Sequence, residues 1–111
     1  MTETLDPEDG KIIALARSAR ARGGTPEGAA VRDETGRTYA ATTVALPSLR
    51  LSALQAAVAM AVSSGAKSLE AAAVVTEADD PAEPDLALVE DLGNGTLFLA
   101  APDGTLKGRY I

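Results

Sequence analysis

The chain has 111 residues, a length that suits one domain, and a net charge of −6 with no cysteine and no histidine. Those two absences exclude disulfides, a nucleophilic thiol, an imidazole base, a Ser-His pair and a zinc ion held by thiolate or imidazole. The negative charge argues against nucleic-acid binding, which rests on cationic neutralisation of phosphates.

The N-terminal Met1-Thr-Glu-Thr-Leu-Asp6 is acidic and lacks the basic and apolar regions of a signal peptide, and about residues 1–6 are expected to be flexible. No apolar run reaches the roughly 18–20 residues needed to span a bilayer, so no membrane partner and a cytoplasmic location are expected. Asp6-Pro7-Glu8-Asp9 is a helix start, with Asp as N-cap, Pro in the first turn and acids beside the positive end of the helix. The first helix runs to about Arg22, with Ile12, Ile13, Leu15 and Ala16 as its apolar side and Gly23-Gly24 as its stop. Arg17, Arg20 and Arg22 near its end complement the helix dipole.

From Gly28 to Val44 the pattern predicts two strands around a tight turn at Asp33 to Gly36. A second helix is expected over about Ser52 to Ser64, with Leu54, Val58, Ala61 and Val62 on one face and Gly65 as its stop. Ser52 and Gln55 form a capping-box pattern. Leu69 to Thr76 is a nearly continuous apolar run, as in a strand covered on both faces. A short third helix is expected over about residues 85–92, then strands over 96–101 and 105–110 around Pro102-Asp103-Gly104. Only 3% of residues are aromatic and 23 are alanine, so the core must be closely spaced and built from small side chains.

Two stretches carry a family resemblance. Leu51-Ser-Ala-Leu-Gln-Ala-Ala-Val-Ala-Met-Ala-Val-Ser-Ser-Gly65 resembles the cytidine deaminase helix in which a Cys-Ala-Glu triplet supplies a zinc ligand and the proton-shuttling carboxylate. Val74-Val-Thr-Glu-Ala-Asp-Asp-Pro-Ala-Glu-Pro84 resembles the strand and acidic loop leading into the family's Pro-Cys-x-x-Cys, the source of the other two ligands. The resemblance covers roughly residues 10–106. It implies a three-layer α/β/α cytidine deaminase-like fold with a five-stranded mixed sheet.

The same resemblance places the family's zinc-site positions at Ser52, Leu54, Asp85 and Leu88, none of which is a usual zinc ligand or, at Leu54, the catalytic acid. Its ribose-binding Asn-Val-Glu falls at Thr43-Val44-Ala45, followed by a loop, Leu46 to Arg50, about two residues shorter. Burying Leu54 and Leu88 would contribute on the order of 1.5–3 kcal/mol each and fill the old cavity. Asp85, near the expected start of the third helix, can cap it or interact with its dipole.

These departures give the expectation that the chain is not an enzyme. They imply no cofactor, no metal and no catalytic residue, and a non-catalytic interaction or scaffold module of the deaminase fold. The alternative is a sensor that binds a nucleoside or related small molecule without turnover. The resemblance implies a homo-oligomer, a dimer or tetramer associating through helices near the site, where Ala53, Ala56, Ala57, Ala61 and Met60 would permit close contact or simply pack within one subunit. Seven acidic residues and no Lys or Arg lie between Glu77 and Asp91. Within that run Glu77, Asp79, Asp80 and Glu83 form a candidate acidic surface for a protein partner with a basic face. Their spacing is not that of a calcium loop.

Overall fold

The computed structural model describes residues 5–93 and 95–110. Most of the expected flexible N-terminus, residues 1–4, lies outside them. Asp6 accepts a hydrogen bond from the Glu8 amide and N-caps α1 (Pro7–Gly23), which closes on Gly24 in the left-handed conformation with its amide bonded to the Arg20 carbonyl. The chain then forms β1 (Gly28–Asp33), β2 (Thr38–Thr42), β3 (Val44–Leu46), β4 (Leu49–Leu51), α2 (Ala53–Ser63), β5 (Leu69–Val75), α3 (Glu83–Asp91), β6 (Thr96–Ala100) and β7 (Leu106–Tyr110).

The main sheet has the order β2-β1-β5-β6-β7. Only β5 and β6 run parallel; β1 is antiparallel to both β2 and β5, and β7 is antiparallel to β6. The parallel pair needs a crossover, and α3 supplies it. On one face Ile12, Ile13 and Ala16 of α1 pack on Ala30, Ala71, Ala73, Val75, Phe98 and Ala100. On the other, Leu54, Ala57, Val58 and Ala61 of α2 and Val89 of α3 pack on Ala29, Val31, Ala72, Val74, Leu97 and Leu99. Alternate residues of β1, β5 and β6 thus point to opposite helical layers, giving the expected three-layer α/β/α arrangement with a five-stranded mixed sheet.

Several expectations need correction. Val44 to Leu51 is not the end of a strand followed by a loop: β3 and β4 form a separate two-stranded sheet around Pro47-Ser48. Strands of three residues are too short to show a period, and the Pro-Ser turn reads as loop. Leu15 and Val62 face solvent rather than the core, because each helix buries a stripe narrower than its run of apolar residues. α3 begins two residues earlier than expected, with Pro84 in its first turn.

The approach of α1 to the sheet is set by Gly28. A Cβ there would fall against the Ala16 carbonyl oxygen and within 2.6 Å of the Arg20 amide nitrogen. We therefore expect Gly28→Ala to destabilise the fold by about 1–3 kcal/mol through overpacking, read as a lower urea midpoint with an unchanged slope. An unaltered midpoint would show that α1 can shift outward freely.

Candidate functional site

The site is built where the N-termini of α2 and α3 meet the ends of β1 and β5. Ser52 N-caps α2 in a complete capping box: its Oγ accepts from the Gln55 amide at 3.1 Å, and its own amide donates to Gln55 Oε1 at 2.8 Å. While its oxygen accepts from the helix, the Ser52 hydroxyl donates its proton to Asp85 Oδ1 at 2.8 Å. Asp85 is only 2% exposed. It is not the cap of α3; Ala82 holds that position without a side-chain hydrogen bond, and Asp85 sits in the first turn pointing toward α2.

Glu27, just before β1, completes the cluster. Its Oε1 accepts from the Ala53 amide at 3.4 Å. Glu27 and Asp85 line a cavity of about 10 Å³ with Val74, Thr76, Asp80, Pro81, Ala82 and Leu99, room for roughly one water. Burial pushes the Glu27 carboxyl above its ordinary range, against the lowering effect of the Ala53 amide, and the charge of Asp85 adds to the rise. Burial also raises Asp85, against the lowering effect of the Ser52 hydroxyl. Burial therefore favours the protonated form of both carboxyls, and the positive helix ends beside them act in the opposite sense by favouring the anion.

The other matched positions fall elsewhere. Leu54 is fully buried in the apolar layer between α2 and the sheet, and Leu88 packs half-buried against the same cluster. Thr43 lies between β2 and β3 with its Oγ1 buried and without a hydrogen-bond partner, and Ala45 is exposed on β3. Neither lines the cavity. Glu77, Asp79, Asp80 and Glu83 are all exposed. The loop that carries them is tied down by Lys107, whose Nζ donates to the carbonyls of Thr76, Glu77 and Ala78 at 3.2, 3.2 and 2.8 Å and lies 3.9 Å from Asp79. Glu27 was not singled out from the sequence, since a lone glutamate after Pro26 carries no spacing signal. Only the meeting of β1 with the two helix ends gives it a role.

Residues 5–104 match the family model described as "Cytidine deaminase-like". The chain belongs to the cytidine deaminase-like family. Among solved structures it is similar to cytidine deaminase from Burkholderia pseudomallei, with 23% identity and a TM-score of 0.75 over 86% of this chain and 87% of that one. The cytidine deaminase of Mycobacterium tuberculosis shares 23% identity and a TM-score of 0.69, over 92% and 90% of the two chains. That of Mycobacterium leprae gives 22%, 0.65, 85% and 87%. No curated protein matches the chain. Among the described residues no helix is long and apolar enough to cross a membrane.

Family membership corrects the expectation that the chain is not an enzyme. Its family is named for a deaminase and the solved structures it resembles are cytidine deaminases. Lack of cysteine and histidine removes one donor set, not acid–base chemistry, and Glu27 and Asp85 beside the Ser52 hydroxyl provide groups for the latter. The zinc that the resemblance implies does not fit these residues. Ser52 and Asp85 are hydrogen-bonded to each other, Leu88 offers an isobutyl group, and among the described residues no three Asp, Glu, His or Cys are grouped to hold a metal.

The raised carboxyls fix a sign. A raised folded-state value means that the native state binds the proton more tightly, so these groups favour folding at low pH. That contribution is lost as pH climbs above the ordinary carboxylate range. Asp33, held low by the Thr35 hydroxyl and by backbone amides, acts in the opposite sense at lower pH. Glu27→Gln should consequently gain stability relative to the parent as pH rises from acid to neutral, measured by urea unfolding across pH. A difference that does not vary with pH would count against a raised Glu27 carboxyl.

Proposed function

We propose that this chain is an assembly module of the cytidine deaminase-like family and that a second copy covers the apolar side chains of its β3–β4 hairpin and of the outer face of α2. The hairpin carries the reading. β3 and β4 pair with each other and stand outside the main sheet, with Leu46 and Leu49 55% and 49% exposed. A two-stranded hairpin is marginally stable alone in water, and grouped large apolar side chains on a surface mark contact sites. Met60 and Val62 of α2 are 45% and 48% exposed, and the family resemblance points to association through the helices beside the site. The alanines Ala53, Ala56, Ala57 and Ala61 are spent inside the subunit, so the contact uses Met60 and Val62.

Of the positions matched to the family's zinc ligands, catalytic acid and ribose contacts, Ser52 and Asp85 are hydrogen-bonded to each other, Leu54 is buried in the core, Leu88 packs half-buried against it, Thr43 lies just before β3 and Ala45 is exposed on it. The exposed carboxylates Glu77, Asp79, Asp80 and Glu83 offer a second surface, suited to a protein with a basic face. A nucleoside or small-molecule sensor is the weaker reading, because a cavity with room for roughly one water admits no nucleoside without rearrangement.

Sedimentation velocity over a concentration series tests the assembly. The expected result is a dimer or tetramer that Leu49→Asp or Met60→Asp shifts to monomer, with the unfolding midpoint of the separated subunit little changed. A parent protein that stays monomeric throughout the series would sink the reading. A nucleoside that raises the midpoint would promote the sensor instead.

A further inference from the structure

The disagreement between the implied zinc and the residues present has a structural answer. We infer that the Ser52–Asp85 hydrogen bond is the tie that fastens α3 to α2 in this chain, doing without metal what a shared zinc ion would do for two ligand-bearing helix ends. The need for a tie is visible in α3 itself. It spans nine residues, lacks a side-chain N-cap, and buries fully only Asp85 and Val89. Leu86, Leu88 and Leu92 add half-buried contacts with the core. Asp85 is thus one of the two deepest anchors of the helix, and its contact is polar and directional rather than apolar.

The partner is preorganised. The capping box fixes the Ser52 oxygen by the Gln55 amide and leaves its hydroxyl hydrogen to point away from α2. Asp85 Oδ1 lies on that path at 2.8 Å. A hydroxyl donating to a carboxylate as deeply buried as Asp85 is stronger than the same bond in solvent. One hydroxyl therefore caps α2 and holds α3, and Glu27 secures the adjacent Ala53 amide. Zinc can supply the folding free energy of a small metal-dependent domain; here three oxygen-bearing side chains and two helix ends close the same junction with hydrogen bonds.

Two measurements test this. In the first, the unmodified protein is assayed for bound metal and its thermal midpoint is followed with EDTA and with Zn²⁺. No stoichiometric transition metal and no shift with either reagent are expected. Stoichiometric zinc whose removal by EDTA lowers the midpoint would overturn the inference. In the second, amide hydrogen exchange is read helix by helix in Ser52→Ala, Asp85→Ala, the double variant and Ser52→Thr. Both single variants should lose protection at α3 and several degrees of midpoint, the double should lose little more than either, and Ser52→Thr, which keeps a hydroxyl, should retain α3 protection. Losses in the two single variants that simply add, or α3 protection unchanged in Asp85→Ala, would overturn it.

Discussion

The fold rests on how closely its helices approach the sheet. Ala29, Ala30, Ala71, Ala72, Ala73 and Ala100 line both faces of the central strands, and all are buried. Side chains of this size leave no gap to be filled by large aromatic residues, of which the chain has few, so each helix must lie almost on the backbone of the strands beneath it. Gly28, pressed under α1, is the extreme case. Close approach brings the ends of α2 and α3 near the ends of β1 and β5, and that convergence creates the Glu27, Ser52 and Asp85 cluster.

Much of the fold was legible because its signals are local. Asp6-Pro7, the Ser52 and Gln55 box and the Gly23-Gly24 stop each mark a helix boundary by backbone chemistry, and the structure honours all three. The apolar run from Leu69 to Val75 announced a strand covered on both faces. The β3–β4 hairpin was not legible, since three-residue strands have no period and their pairing is decided by the turn. Nor was the exposure of Leu15 and Val62, where composition says apolar and only the packing says which side is covered.

The site was half legible for a similar reason. Ser52 and Asp85 are 33 positions apart in the chain, and the expected role of each was a local one, a cap for Ser52 and a cap or dipole partner for Asp85. For Ser52 that is correct and incomplete. Asp85 keeps its expected place beside the dipole of α3, in the first turn, but takes a tertiary hydrogen bond from Ser52 rather than the cap position. Chemistry was harder still to read from composition. Counting missing donors excluded thiolate and imidazole, but acid–base capacity lies in how carboxyls are buried, and burial belongs to the fold. Glu27 shows this: an ordinary surface residue by sequence, it becomes a perturbed acid only where β1 begins under α2.

Lys107 gathers the carbonyls of Thr76, Glu77 and Ala78 around one ammonium group. Its grip is mainly on the backbone, with Asp79 as a side-chain partner at 3.9 Å, so the path of the acidic loop depends little on which other side chains the loop displays. The charges at Glu77 and Asp80 can therefore change one at a time while the loop keeps its course. The lysine lacks that freedom, because a planar guanidinium presents its donors in a fork rather than as a compact point. A surface of adjustable charge thus hangs from one lysine.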